Sequence, residues 1–215
     1  MKQKTCSVCS GTVKIIPGDS TVLDYYWCAS CDYIFIDEGK ILPPDEEKRR
    51  YGLHENTRNN EGYVAMFNEF IAKAVTPYRK NIKTVLDFGC GPGPVLASLL
   101  QEEGFEVDTY DIHFAPDEVY RNKSYDLITA TEVFEHLKDP LITTSFLREH
   151  LTPNGIMAIM TLFHPGNEEQ FKTWWYKREA THISFYTPRT FKKLATLCKM
   201  NVVMVDKKNV CVLSN

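Results

Sequence analysis

The stretch that decides the fold is Val85-Leu86-Asp87-Phe88-Gly89-Cys90-Gly91-Pro92-Gly93, a short apolar run that ends in an acid and three spaced glycines. A helical pattern follows over 94–104, with proline at its start and glycine past its end. This order predicts a strand, a tight turn and a helix, and glycines let the turn backbone approach a ligand closely. The dinucleotide pattern GxGxxG would need a third glycine where Pro94 stands, so the nicotinamide-cofactor fingerprint is not met.

Strand-like runs alternate with helical patterns from this turn to the end of the chain. Strands are predicted over 84–89, 105–111, 125–131 and 156–163, and helices over 94–104, 132–140, 145–155 and 188–200. Two closing strands, VVMVD and VCVLS, are joined by a turn too short for a crossover, so the last strand should be antiparallel. The alternation predicts an α/β fold with a doubly wound, mostly parallel sheet that binds ligands at the strands' carboxyl ends.

Four cysteines near the start of the chain have the spacing of a structural zinc site. Cys6-x-x-Cys9 and Cys28-x-x-Cys31 are separated by 18 residues, and each pair can hold one metal from a tight knuckle. Two redox CxxC pairs or four unrelated buried thiols are the alternatives. The other cysteines have no partner at ligand spacing and are interpreted as packing residues: Cys90, Cys198 and Cys211.

Composition divides the chain into three parts. These are a four-cysteine zinc ribbon (1–42), a linker with a cap helix (43–80) and the alternating α/β domain (81–215). Within the middle part, the apolar residues share one helical face: Tyr63, Met66, Phe67, Phe70, Ile71 and Ala74.

The overall composition is that of a globular protein. The 215 residues are 43% hydrophobic and 25% charged, with a formal net charge of −3, which excludes a disordered or fibrous chain. No run approaches the roughly 20 apolar residues that cross a bilayer, and the first residues lack the apolar core of a signal peptide. We therefore expect a cytoplasmic protein with no membrane partner.

Asp-x-Gly-x-Gly-x-Gly, over 87–93, resembles the first motif of class I S-adenosylmethionine (SAM) dependent methyltransferases. The resemblance implies that Gly89, Gly91 and Gly93 face the amino-acid end and the sugar of SAM, and that Asp87 helps to hold its ammonium group. Asp111 ends the next strand, where an acid can accept both ribose hydroxyls of a nucleoside cofactor; a solvated strand end or a cap is the alternative.

Residues 125–137 resemble the fourth motif of small-molecule methyltransferases, notably the ubiquinone-biosynthesis O-methyltransferases. The resemblance implies that Ala130, Thr131 and Glu132 meet the reactive part of SAM. Glu132, Glu135 and His136 fall at i, i+3 and i+4 and are predicted to share one face of a helical turn. Such a cluster is associated with a divalent ion in some relatives, but a cap and a helix-surface pair is the interpretation we favour.

An aromatic segment over 171–187 is predicted to lie over the mouth of the site. Its large side chains should exclude water and stack on a planar substrate: Trp174, Trp175, Tyr176, Phe185 and Tyr186. His182 is the best-placed candidate base for an oxygen or nitrogen nucleophile, and Thr181-His182 resembles the Thr-His of the ubiquinone-type enzymes. A satisfied core histidine is the alternative. The front lip is predicted to comprise Tyr51, His54 and Asn56.

These residues together predict in-line methyl transfer from SAM to an oxygen or nitrogen atom of a small molecule, beside a structural zinc. An RNA substrate is an alternative, because residues 171–210 carry a net charge of +7. The ribbon, at −1 over 1–42, does not favour an RNA grip. A non-catalytic zinc-ribbon adaptor is a third hypothesis, against which the intact Asp87, glycine turn and Asp111 argue.

Overall fold

The computed structural model describes residues 4–18, 24–53 and 56–215. In chain order, the strands of this part are β1 (Val13–Ile16), β2 (Tyr25–Cys28), β3 (Ile34–Ile36), β4 (Thr84–Phe88), β5 (Glu106–Tyr110), β6 (Tyr125–Thr131), β7 (Leu151–Met160), β8 (Ser184–Phe185), β9 (Asn201–Val205) and β10 (Val210–Ser214). The helices are α1 (Pro44–Tyr51), α2 (Glu61–Ala74), α3 (Val95–Glu102), α4 (Pro140–Glu149), α5 (Glu168–Thr173) and α6 (Pro188–Leu197).

The central sheet has six strands in the order β5-β4-β6-β7-β10-β9. Strands β4 to β7 are parallel to one another, whereas β10 is antiparallel to both of its neighbours. The predicted α/β fold and the antiparallel last strand are therefore confirmed. Parallel register places Asp87 on β4 between Thr109 on β5 and Thr129 on β6, so the carboxyl ends of three strands converge on the glycine turn.

Two predicted helices differ from the structure. The helix expected over 145–155 is α4, which starts earlier with Pro140 at its first turn. Leu151 already begins β7, because it pairs with Tyr125 on β6. The helix expected after residue 131 is only a 3₁₀ turn over Phe134–His136. Glu132 lies outside this turn in the left-handed backbone region (φ 54°), so the expected single helical face for Glu132, Glu135 and His136 is wrong.

A second, four-stranded sheet has the order β1-β2-β3-β8. Strand β8 comes after the first four strands of the central sheet in the chain, so the N-terminal cysteine region and the α/β region share one sheet. The division into 1–42, 43–80 and 81–215 stays a prediction.

Helix α2 covers one face of the central sheet. Its buried residues are Phe67, Phe70, Ile71 and Ala74, and Tyr63 and Met66 are partly buried beside them. Val85 and Leu127 of the sheet lie in the same hydrophobic cluster, as the predicted apolar face requires. Within the described ranges, no helix combines the length and the apolar character that crossing a bilayer takes.

Candidate active site and cysteine centre

The glycine turn after β4 has the backbone that its glycines suggest. Gly89 and Gly91 adopt positive φ angles of 77° and 66°, which other residues rarely adopt. A Cβ added at Gly89 would lie 2.3 Å from Cγ2 of Val133, and one at Gly93 would lie 2.0 Å from the carbonyl oxygen of Asn56. The turn is therefore closed on two sides by neighbouring chain and tolerates no side chain at either position.

Asp87 lies at the base of this turn. It is only 2% exposed and accepts a hydrogen bond of 2.8 Å from Oγ1 of Thr129. Burial, more than the negative charge of Asp111, raises the pKa of Asp87 to about 6. The donors to Asp87 in the described part of the chain are neutral, the Thr129 hydroxyl and the backbone of Ala97. An incoming ammonium group would therefore favour the ionised form of this carboxyl.

Asp111 connects the turns after β4 and β5. Its Oδ2 accepts from the backbone N–H of Gly91 at 3.0 Å, and its Oδ1 accepts from the N–H groups of His113 and Phe114 at 2.8 and 3.0 Å. An ionised carboxylate has about four lone-pair sites, so about one remains for a ligand in this conformation. Contact with both ribose hydroxyls, as predicted, would require the Gly91 bond to be exchanged.

Past the end of β6, two carboxyl groups share one phenol. Tyr176 is buried and its hydroxyl donates to Oε2 of Glu132 at 3.1 Å and contacts Oε1 of Glu135. Glu135 is fully buried, and its Oε2 has no hydrogen-bond partner among the described residues. Burial, followed by the nearby Glu135, raises the pKa of Glu132 well above its ordinary value. Burial next to Glu135 therefore favours the protonated form of Glu132.

Two histidines beside this pair each direct Nδ1 at a backbone carbonyl oxygen. Nδ1 of His182 lies 2.7 Å from the carbonyl oxygen of Tyr176, and Nδ1 of His136 lies 2.9 Å from that of Thr181. Because a carbonyl only accepts, each Nδ1 carries the proton when the ring is neutral, and each Nε2 carries a lone pair. Burial is the main cause that lowers the pKa of His182 to about 4, so this imidazole is neutral at physiological pH.

The structure brings Glu135, His136 and His182 together rather than the predicted Glu132, Glu135 and His136. One ligand atom from each of the three lies within 4.8 Å of the others. An imidazole whose other nitrogen donates to a carbonyl is the usual state of a histidine metal ligand. This cluster can therefore either accept a proton from a substrate or hold a divalent cation of the kind that prefers mixed nitrogen and oxygen ligands.

Helix α1 closes the front of the site. The ring of Tyr51 lies 5.1 Å from that of His136 and 5.8 Å from that of His113. Its hydroxyl donates to Glu47 at 2.8 Å, and burial raises its pKa. The negative charges of Glu135 and Asp111 raise it further, which places Tyr51 between the two halves of the site. Of the predicted lip, Asn56 covers the glycine turn as described above, and His54 lies outside the described residues.

The aromatic segment is only partly a cover. Tyr176 borders the site, and Trp175 is 64% exposed. Phe185 and Tyr186 are instead fully buried core residues, because β8 pairs with the N-terminal sheet and turns them inward. Their assignment to a lid is wrong. The sequence offered no pattern for Glu47, which sits in an ordinary run of charges.

The four N-terminal cysteines form a compact cluster. The Sγ atoms of Cys6 and Cys31 are 3.6 Å apart, those of Cys9 and Cys28 are 3.4 Å apart, and all four lie within 4.8 Å. Zinc–sulfur bonds of about 2.3 Å in a tetrahedron require sulfurs about 3.8 Å apart, so the set fits a zinc ion. The hydrogen bond between Cys6 and Cys31 lowers the pKa of the Cys6 thiol and raises the pKa of the Cys31 thiol.

The two knuckles repeat one geometry. Ser10 and Asp32, each directly after the second cysteine of its pair, have φ angles of 57° and 59°. Their N–H groups donate to the carbonyl oxygens of Cys6 and Cys28. The two cysteine pairs therefore have the same turn geometry, which supports a single zinc ion held by both pairs.

A family model described as a methyltransferase domain matches residues 57–199. The chain belongs to this methyltransferase family. Two curated relatives support the class I, SAM-dependent group of methyltransferases. They are the ubiquinone biosynthesis O-methyltransferases of Rickettsia canadensis (28% identical over 118 residues) and Histophilus somni (29% over 120 residues). These matches cover 44% and 43% of this chain and 50% and 48% of the relatives. The chain thus spans about half the length of the curated relatives it matches.

Solved structures of methyltransferases show the same fold. The 1,6-didemethyltoxoflavin-N1-methyltransferase of Burkholderia thailandensis, solved with its substrate and S-adenosylhomocysteine, is 14% identical, with a TM-score of 0.59. That similarity covers 93% of this chain and 98% of the other. The mitomycin 7-O-methyltransferase is 11% identical, with a TM-score of 0.56, over 72% of this chain and 55% of the other. At these identities the likeness concerns the fold of the methyltransferase family.

Proposed function

We propose that this protein transfers a methyl group from SAM to an oxygen or nitrogen atom of a small molecule. The proposal rests mainly on His182, whose Nδ1 bond to the Tyr176 carbonyl leaves the lone pair of the neutral ring on Nε2. The glycine turn borders the same space, because Gly89 packs against Val133, the residue that follows Glu132. A cofactor turn and an oriented base facing one cleft are the two elements that methyl transfer to a protonated nucleophile requires.

The cofactor half would bind SAM through Asp87, the turn of Gly89, Gly91 and Gly93, and Asp111. The bound cofactor supplies a methyl carbon activated by positive sulfur. Asp87 would accept from the ammonium group, and Asp111 from a ribose hydroxyl. Ala130 and Thr131 end β6 beside this turn and are almost fully buried, so they would form a dry wall of the pocket.

The acceptor half would hold and deprotonate the nucleophile. His182 would take the acceptor's proton at Nε2, and the carboxylate of Glu135, whose charge favours protonation of His182, would stabilise the imidazolium. Glu132, protonated beside Glu135, and Tyr176 would limit the negative charge in the cleft. Tyr51 and Tyr176 supply flat surfaces that suit a planar acceptor.

The cysteine centre belongs to the proposal as a structural zinc site. Cys6, Cys9, Cys28 and Cys31 would fill all four positions of a tetrahedral ion and leave none for substrate. A cytoplasmic location, where thiols stay reduced, is part of the same proposal.

Incubating the full chain with methyl-labelled SAM and separate pools of small metabolites, RNA and protein from the source cell tests the function. We expect label in the small-molecule pool. Label in RNA alone would favour the RNA alternative, for which the basic stretch 171–210 is the supporting feature. No label in any pool, together with no SAM binding, would favour the non-catalytic adaptor.

A histidine pair tests the role of the base once a labelled pool is found. His182→Gln should lower the rate about 10²- to 10⁴-fold, the usual contribution of a general base. His150→Gln is the matched control. Nδ1 of His150 also bonds a carbonyl oxygen, that of Phe146 at 2.9 Å, but His150 lies directly before β7, at the amino ends of the parallel strands. Equal effects of the two changes would contradict the assignment of His182.

A further inference from the structure

We propose that the N-terminal sheet, braced by the cysteine centre, is the positioning element of the acceptor half of the active site. It would do this by fixing the backbone that carries His182. The role of His182 as a base rests on the proposed function, whereas its position in the fold does not.

The segment with His182 forms one edge of the N-terminal sheet. Ile34 and Phe35 of β3 pair with Phe185 and Ser184 of β8. The backbone N–H of Ile36 extends this pairing by donating to the carbonyl oxygen of Ile183 at 3.1 Å. Strand β8 is thus held from the first residue after His182, and it reaches no other strand in the described part of the chain.

The opposite side of the same segment is bonded to the turn after β6. Ile183 N–H donates to the carbonyl oxygen of Glu135 at 2.8 Å, and Oγ of Ser184 donates to that of Phe134 at 2.9 Å. The segment lies between β3 and the turn that carries Glu135. Removing either side would leave the distance between Glu135 and His182 without a fixed value.

Side-chain packing links the sheet to the partner of His182. Tyr176, whose carbonyl accepts from Nδ1 of His182, lies in one buried cluster with Ile183 and Phe185. The N-terminal members of that cluster are Ile16, Tyr25, Trp27, Ile34 and Ile36. Because the carbonyl that sets the imidazole tautomer is packed on this sheet, a shift of the sheet would be transmitted to the ring.

The cysteine centre holds the chain directly before the first residue of β3. Strand β3 begins three residues after Cys31, whose carbonyl oxygen accepts from Oγ1 of Thr190 at 2.9 Å. The carbonyl oxygen of Asp32 accepts from Nε2 of His164 at 2.6 Å. So small a sheet buries little core by itself, and a metal that joins the two knuckles would supply the rigidity that β3 passes to β8.

The cofactor half is built from other elements. Asp87, the glycine turn and Asp111 bond to residues of β4, β5, β6 and the turns after them. In the ranges that the structure describes, no hydrogen bond or ion pair joins these cofactor residues to the N-terminal sheet. The contact between Ile34 and Phe185 lies in a different buried cluster from Leu86 of β4 and Ile128 of β6. Disturbing this contact should therefore affect the acceptor and spare SAM.

The experiment uses the full chain with ¹⁵N-labelled histidine and three readouts: the tautomer of His182, the affinity for SAM, and kcat and KM for the acceptor. Ile34→Ala removes buried atoms opposite Phe185, and Ile15→Ala, on the same sheet but 57% exposed, is the matched control. The His182 signal is identified by its loss in His182→Gln. We expect Ile34→Ala to lose the fixed Nδ1–H tautomer and to reduce kcat/KM at least tenfold, since misplacement by about 1 Å can cost 10²-fold. SAM affinity should stay at the control value.

Withdrawal of zinc by a chelator should produce the same pattern as Ile34→Ala. If Ile34→Ala does not unfold cooperatively, the smaller change Ile34→Val takes its place. An unchanged His182 tautomer and unchanged acceptor kinetics in a destabilised variant would overturn the proposal, as would equal losses of SAM and acceptor binding. The tautomer readout needs no acceptor, so it decides the positioning claim even if the proposed function fails.

Discussion

Replacing Gly89 by alanine separates two costs that the structure assigns to this position. The first is the positive φ of 77°, which costs an L-residue about 1–2 kcal/mol. The second is the 2.3 Å approach of the new Cβ to Cγ2 of Val133, an overlap of the kind that costs about 1–3 kcal/mol when a packed region must shift. Gly89→Ala should therefore lower the free energy of unfolding by about 2–5 kcal/mol.

Gly104→Ala is the matched control, because Gly104 has a φ of 92° with nothing within 4 Å of an added Cβ. It should cost only the conformational part, about 1–2 kcal/mol. The double variant Gly89→Ala/Val133→Ala should recover about 1–3 kcal/mol of the overlap in a double-mutant cycle. Urea unfolding followed by circular dichroism measures the wild type, the single variants Gly89→Ala, Val133→Ala and Gly104→Ala, and the double variant. Equal costs at Gly89 and Gly104, or no coupling to Val133, would refute the closed geometry of the turn.

Two further predictions concern the acids of the cofactor half. Because the folded pKa of Asp87 is raised to about 6, the free protein should lose stability as pH rises from about 4 to 6, where the unfolded chain alone has released this proton. The ammonium of SAM requires the ionised form of Asp87, so SAM affinity should fall by up to about tenfold per pH unit below pH 6. In titrations from pH 5 to 8, Asp87→Asn should abolish this pH dependence. A pH dependence that persists in Asp87→Asn would contradict the role of Asp87. Asp111→Ala removes the acceptor of three backbone N–H groups and should weaken SAM binding more than about tenfold, as measured by calorimetry; unchanged affinity would mean that this acid does not serve the cofactor.

The sequence was sufficient where local patterns act alone. The glycine turn, the strand before it and the final hairpin depend on residues that are adjacent in the chain, and each appears as predicted. Helix α2 buries the residues that its 3.6-residue periodicity selects. The Cys-x-x-Cys pairs likewise predicted the sulfur cluster, since ligand spacing within a knuckle is a local property.

The sequence was insufficient where distant segments decide the structure. Phe185 and Tyr186 belong to the core because β8 pairs with β3, about 150 residues earlier in the chain, and no local pattern records that pairing. Glu132 leaves the helical face because its backbone turns left-handed at the end of β6. The grouping of Glu135 with His182 depends on the same tertiary pairing, so spacing along the chain could not indicate it.

Calorimetric titration of the full chain with SAM tests whether the glycine turn after β4 binds this cofactor. We expect saturable binding with one site per chain, lost progressively below pH 6 and weakened in Asp111→Ala. Absence of heat at any concentration, or competition for the cleft by a nicotinamide dinucleotide, would contradict it.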